Sequence, residues 1–217
     1  LARAGYDVVV PESQGCCGAL HAHAGDLERA RELARHNVSV FGGSGEPFDA
    51  VVVTSAGCSA ALRELEHWIG TDGKPLAGNV RDVLEFLDAV GPRLALSPLA
   101  RRVCYDDPCH LIHAQGIAAA PRNLLRAIPQ LELVAHRNPE ACCGAAGIYN
   151  LTHPEMSAQV LSPKLDALAE AAPEIVATAN PGCAMQLAAG LAGRGIAARV
   201  VHPIELMEEA SRGAART

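Results

Sequence analysis

Aromatic side chains make up only 3% of this 217-residue chain, and its formal net charge is −6. A nucleic-acid groove needs basic residues and stacking rings, so that class of partner is excluded. No run approaches the roughly 20 uninterrupted apolar residues that span a bilayer. The most apolar late stretch, LAAGLAGRGIAARVV, is broken by Arg194 and Arg199, which leaves at most a peripheral membrane association. Lysine is scarce: Lys74 and Lys164 stand beside sixteen arginines, a skew that reads as compositional bias. The Gly-rich FGGSGEP at 41–47 lacks the lysine of a phosphate loop and reads as a turn. Neither a Cys-x-x-Cys knuckle nor a Cys-x-x-Cys-His haem attachment occurs. Eight cysteines in a chain this long are too sparse for a secreted disulfide scaffold.

The cysteines that are present form a pattern. Cys16-Cys17-Gly18 recurs as Cys142-Cys143-Gly144, and each copy is followed by a Gly-Cys pair, Gly57-Cys58 and Gly182-Cys183. The surroundings repeat too. LARAGYDVVVP and LLRAIPQLELV precede the doublets, FDAVVVTSAGC and PEIVATANPGC follow them, and VLEFLDAV at 83–90 mirrors PIELMEEA at 203–210. A period near 125 residues is too long for a solenoid and fits a duplicated domain. Cys109 has no counterpart in the first half, because the equivalent position precedes residue 1. The first domain is therefore expected to be truncated at its amino terminus. The expected division is a first domain over 1–92, a linker over 93–101 and a second domain over 102–217.

Hydrophobic periodicity predicts alternating strands and helices. Strands are expected at 6–10, 49–54, 102–106, 131–135, 174–178 and 197–201. Helices are expected at 26–40, with Leu27, Ala30, Ala34 and Val38 as its buried stripe, and at 58–69, 80–90, 111–127, 183–193 and 203–211. Two helical pieces split at Ser162-Pro163 cover 154–171, and 70–78 reads as a polar loop. The fold class is α/β: two tandem, pseudo-repeated domains with mainly parallel sheets flanked by helices.

In such sheets ligands gather at the carboxyl ends of the strands, which is where the doublets, Cys109, Cys58 and Cys183 fall. Adjacent cysteines aim both sulfurs inward only in an irregular turn, which the following glycine permits. Cys109, Cys142, Cys143 and Cys183 make a complete four-thiolate set; Cys16, Cys17 and Cys58 make an incomplete one. Four thiolates suit either a tetrahedral Zn²⁺ or a [4Fe–4S] cluster. Zinc sites use tight pairs, whereas a cluster accepts ligands from distant loops, so the spacing favours iron–sulfur. Cys104 reads as a buried strand residue. His110 stands where it can hydrogen-bond a cluster sulfur or serve as a structural histidine. His153 and His202, each before a proline, read as helix-entry residues, and His21 and His23 as solvated. Asp106 and Asp107 are expected to face solvent, away from an anionic cluster.

The stretches DPCHLIHAQ (107–115), CCGAAGIYNLTHPEMS (142–157), TANPGCAMQL (178–187) and HPIELMEEA (202–210), with CCGAL and TSAGCSAALRE in the first half, carry a resemblance. The chain resembles the cysteine-rich CCG domains shared by the iron–sulfur subunit of glycolate oxidase (glycolate dehydrogenase), the lactate-utilisation iron–sulfur protein and the cysteine-rich subunit of heterodisulfide reductase. Its wording is most like the glycolate oxidase subunit. That resemblance implies a cytoplasmic electron-transfer subunit, at the inner face of the membrane, working with flavin subunits that carry FAD and oxidise glycolate. Electrons would pass on toward a quinone. It also implies an amino-terminal ferredoxin-like module, whose Cys-x-x-Cys runs this sequence lacks. Heterodisulfide-reductase-like thiol chemistry would need a further cysteine, but Ser59-Ala60-Ala61 and Ala184-Met185-Gln186 follow Cys58 and Cys183. A zinc-stabilised structural subunit is the remaining alternative.

Overall fold

The computed structural model describes residues 1–42, 48–91 and 93–214, so most of the Gly-rich stretch at 41–47 lies outside the described residues. The second half is built on a four-stranded, wholly parallel sheet. Its strands are β3 (Arg102–Asp106), β4 (Glu132–Leu133), β5 (Ile175–Thr178) and β6 (Arg199–Val201), in the order β4-β3-β5-β6. The first half contributes a parallel pair, β1 (Val51–Val53) and β2 (Val80–Asp82). Parallel neighbours need crossovers, and helices supply them. Accordingly β1–α3 (Ala56–Arg63)–α4 (Leu65–Ile69)–α5 (Lys74–Asn79)–β2–α6 (Val83–Val90) is echoed by β5–α11 (Pro181–Gly193)–β6–α12 (Pro203–Ala214).

Side-chain alternation divides the large sheet. Val103, Tyr105, Ile175 and Ala177 face α8 (Ala120–Arg126) and α12, packing with Leu124, Leu125, Leu206 and Met207. Cys104 and Val176 face the other way, onto Leu161, Leu165 and Leu168 of α10 (Pro154–Ala171) and Leu187 and Leu191 of α11. Cys104 is fully buried, as its apolar setting implies. The first of these cores also takes in Ala56, Val83 and Leu84, so the two halves share one core as well as having their own. Residues 93–101 carry no helix or strand, and Leu96 and Leu99 pack onto that shared core.

Several sequence expectations change. Residues 6–10 pair with no strand; Val8, Val9 and Val10 are 43%, 61% and 68% exposed, because the β1–β2 sheet does not extend to them. Leu27 is exposed, whereas Ala30 and Ala34 of α2 (Leu27–Gly42) are buried as the stripe requires. Residues 70–78 are largely helical, a short 3₁₀ turn followed by α5. Residues 80–82 belong to β2, where β-branched Val80 is fully buried, and the helix starts at Val83 behind the Asp82 cap. Gly116, at φ 70°, splits 109–126 into α7 (Cys109–Gln115) and α8. Conversely, α10 runs unbroken through Pro163, because the packing of Leu161, Leu165 and Leu168 outweighs one missing backbone bond.

Candidate metal centre

Both doublets are held by the same local device. Gly18 and Gly144 each adopt φ 84°, the left-handed region that glycine enters freely. Each glycine N–H points back at the first sulfur of its doublet, Gly18 to Cys16 Sγ at 3.5 Å and Gly144 to Cys142 Sγ at 3.3 Å. The second sulfur turns inward: Cys17 and Cys143 are buried, while Cys16 and Cys142 are exposed. Each inward sulfur meets the cysteine near the start of a later helix in its own half. Cys17 Sγ lies 3.2 Å from Cys58 Sγ, and Cys143 Sγ lies 3.0 Å from Cys183 Sγ. The doublet therefore presents one thiol inward and one at the rim, whereas the sequence pattern predicts both inside.

Cys109 opens α7 at the end of β3, and its Sγ lies 3.5 Å from His110 Nδ1. Burial pushes its thiol above the usual range, and the nearby Cys142 adds to that. Here desolvation outweighs the helix amino terminus. Cys142 is raised by its hydrogen bond with Cys143 and by burial. Cys143 reaches about 12: accepting from Cys142 lowers it, but donating to Cys183 and burial prevail. In the first half the Cys17 proton points at Cys58, so Cys17 is raised and Cys58 lowered to about 6. A bound cation would reverse the raised values, since metal ligation removes thiol protons. Among the described residues, no three His, Cys, Asp or Glu side chains close on a point that fits a single metal ion. Cys143 and Cys183 are in sulfur–sulfur contact and Cys142 lies near enough to Cys109 to act on its thiol; sulfur-only donors of this kind are the ligands that polynuclear iron–sulfur clusters take.

Asp106 and Asp107 do not face solvent. Consecutive residues of a strand end point to opposite faces, and each carboxylate meets a cation there. Asp106, 1% exposed, takes Lys164 on the α10 side and a 3.0 Å bond from Thr178 Oγ1; Lys164 also donates to Pro139 O at 2.9 Å. Asp107 accepts both arms of Arg122 at 2.7 and 2.6 Å on the α8 side. These pairs neutralise the acidic strand end just before Cys109. Lys164 was legible in principle: it sits among Leu161, Leu165 and Leu168 on an apolar stripe, where a lysine needs a buried partner.

Further residues escaped the sequence reading. Ser157 donates to Gly144 O at 2.8 Å and accepts from Gln186 Nε2 at 2.8 Å; Gln186 Oε1 accepts from Asn150 at 3.1 Å. Gln186, where a fifth cysteine would stand, thus helps pin the doublet loop. Asn37 does similar work in the first half, donating to Cys16 O at 2.9 Å and accepting from Gly15 N at 3.0 Å. His23 is not simply solvated; its ring stacks on His110 with centroids 5.7 Å apart. His153 and His202 do sit at helix entries, His202 Nδ1 accepting from Ile204 N at 3.1 Å. No helix among the described residues is long and apolar enough to cross a membrane.

The chain is 36% identical over 222 residues to the "Probable glycolate oxidase iron-sulfur subunit" of Bacillus subtilis (strain 168), covering 97% of this chain and 49% of the relative. It is 32% identical over 218 residues to the "Glycolate oxidase iron-sulfur subunit" of Escherichia coli (strain K12), over 97% of this chain and 52% of that one. It is 28% identical to "Lactate utilization protein A" of Geobacillus sp. (strain WCH70), over 95% of this chain and 88% of that one. The chain thus spans about half the length of the Bacillus and Escherichia relatives. Residues 1–63 and 103–188, which hold both doublets and all the paired thiols, match the cysteine-rich CCG domain model, and the chain belongs to that family.

Proposed function

We propose that this chain is the CCG portion of an iron–sulfur electron-transfer subunit of a flavin-dependent 2-hydroxyacid dehydrogenase of the glycolate class. The observation that carries this reading is in the second half: Cys143 and Cys183 are in contact, Cys142 adjoins Cys143 in the doublet, and Cys109 is near enough to feel Cys142. Relatives named as iron–sulfur subunits support it. Cys109, Cys142, Cys143 and Cys183 would hold a [4Fe–4S] cluster. Cys16, Cys17 and Cys58 would contribute to a second one, which needs a ligand beyond those three. The cluster supplies reversible one-electron chemistry when bound. The chain's own residues do the rest: α3 and α11 place a thiol at a helix start, the glycine turns aim one doublet sulfur inward, and Lys164 and Arg122 neutralise the acidic strand end. Hydride chemistry would lie on flavin subunits carrying FAD, with electrons delivered through a ferredoxin-like module toward a quinone at the cytoplasmic membrane face. The two halves, 1–92 and 102–217 about the 93–101 linker, are the units of this arrangement.

Metal analysis and EPR of the anaerobically purified protein test this. Iron with sulfide, and a visible absorption that bleaches on reduction, are expected. Cys109→Ser and Cys183→Ser should abolish the second-half signal, while Cys104→Ala keeps it. Zinc alone in the wild type refutes the reading and favours a zinc-stabilised scaffold. Turnover of a thiol–disulfide substrate at the cluster favours the heterodisulfide-reductase-like alternative.

A further inference from the structure

Helix α3 begins with two backbone N–H groups, those of Ala56 and Gly57, whose partners lie in the second half. Ser55, its N-cap, makes no side-chain capping bond. Ala56 N donates to Ala179 O at 3.0 Å and Gly57 N donates to Asn180 Oδ1 at 3.1 Å, while Gln115 Nε2 donates to Ala56 O at 3.1 Å, beside the bond that Ser59 Oγ gives the same oxygen. The segment that seats Cys58 is thus capped from across the domain interface.

Asn180 occupies two roles at once. A backbone N–H can only donate, so the Asn180 atom facing Gly57 is oxygen, and this fixes which way the amide lies. Its Nδ2 is thereby turned to Cys183 Sγ at 3.5 Å, against a sulfur residue only 4% exposed. The fit is close on both sides. A Cβ at Gly57 would stand 3.2 Å from Asn180 Oδ1, and one at Gly182 would stand 3.4 Å from Nδ2. Ser55 is the repeat counterpart, three residues before Cys58 as Asn180 is three before Cys183. Its side chain is shorter, and the bridge between halves is made by Asn180.

We propose that Asn180 is a positioning residue shared by the two cysteine sites. Its N–H sets the reduction potential of a cluster held through Cys183, and its oxygen fixes the helix start that carries Cys58. An N–H aimed at a ligand sulfur stabilises the more negative reduced state and raises the potential. Because one amide serves both contacts, a change on the first-half side is felt at the second-half sulfur. This inference rests on the electron-transfer reading above.

The test is an EPR-monitored redox titration of the anaerobically reconstituted protein, with thermal unfolding of the metal-free chain as an independent readout. Asn180→Asp keeps an oxygen for Gly57 N–H but offers the sulfur no donor. It should leave the metal-free melting curve in place and shift the one-electron reduction equilibrium about tenfold toward the oxidised form, about 59 mV. The neutral Asn180→Ala should shift the potential in the same direction and also lower the melting temperature. Gly57→Ala, in the other half, presses on Oδ1 and should move the Cys183-site potential as well. A wild-type cluster whose potential is unmoved in both Asn180 variants, or unmoved in Gly57→Ala, overturns the proposal and leaves Asn180 as an interface cap. Absence of any cluster in the wild type refutes the electron-transfer reading itself, before any variant is compared.

Discussion

Replacing Gly144 by alanine should cost much more than the same change at Gly18, although the two glycines are repeat equivalents. Both sit at φ 84°, so each alanine bears the left-handed penalty of about 1 kcal/mol. The difference lies in what the new methyl meets. At Gly144 it would stand 2.5 Å from the carbonyl oxygen of Ser157, with Ser157 Oγ at 3.1 Å. At Gly18 the nearest atoms are Ala30 O at 3.2 Å and Ala30 Cα at 3.3 Å. The first contact forces the doublet loop away from α10 and breaks the Ser157–Gly144 bond, adding about 1–3 kcal/mol; the second needs a shift of a few tenths of an ångström. Gly144→Ala should therefore lose about 2–4 kcal/mol and Gly18→Ala about 1–2 kcal/mol. For a chain of this size the former corresponds to a fall in melting temperature of roughly 5–15 °C. Urea unfolding of the metal-free protein, followed by circular dichroism, measures both. Equal losses for the two variants, or a loss below about 1 kcal/mol at Gly144, would refute the claim that the doublet turn is locked against α10.

Other consequences can be measured alongside. Lys164→Met leaves Asp106 buried without its cation and should destabilise by about 3–5 kcal/mol in the same urea assay. Adding Asp106→Asn to it should recover most of that loss; a double variant as unstable as the single contradicts the buried pair. Asp82 is fully buried and its carboxyl is raised to about 6 from 3.8, mainly by desolvation. The stability it contributes is present below about pH 4 and lost as pH rises through 6, on the order of 3 kcal/mol. Asp82→Asn, which keeps a cap for Leu84 N, should thus gain on the wild type between pH 4 and 8; a pH-independent difference rules this out. His202 is lowered to about 4 by burial, so its contribution is present above about pH 6.5 and is lost as pH falls through 4. His202→Asn retains an acceptor for Ile204 N and should flatten that acid limb of the unfolding curve.

The parallel α/β alternation was legible because each half repeats a short apolar strand followed by a capped helix. β3 fell on the residues anticipated for it, since its apolar run ends in two aspartates and a proline. Boundaries failed where tertiary context decides. Val80–Asp82 looks like the first turn of a helix until β1 lies beside it, and Val8–Val10 look like a strand although no edge receives them. Pro163 reads as a break, yet α10 passes through it because three leucines anchor both flanks. The carboxylates at 106 and 107 looked solvated because their cations lie 58 and 15 residues away in sequence.

The sequence by itself determined the duplication and the thiol pattern: spacing of rare cysteines, repeated with their flanks, is a one-dimensional property and needs no packing to be read. It also determined the glycine turns, because a doublet followed by glycine has few ways to aim a sulfur inward. Only the tertiary structure decided which sulfur points in, how the acidic strand end is neutralised, and that the second half caps the first-half helix through Asn180. Those outcomes depend on which side chains converge from distant elements. Convergence is set by burial and hydrogen-bond satisfaction over the whole molecule, and no local pattern records it.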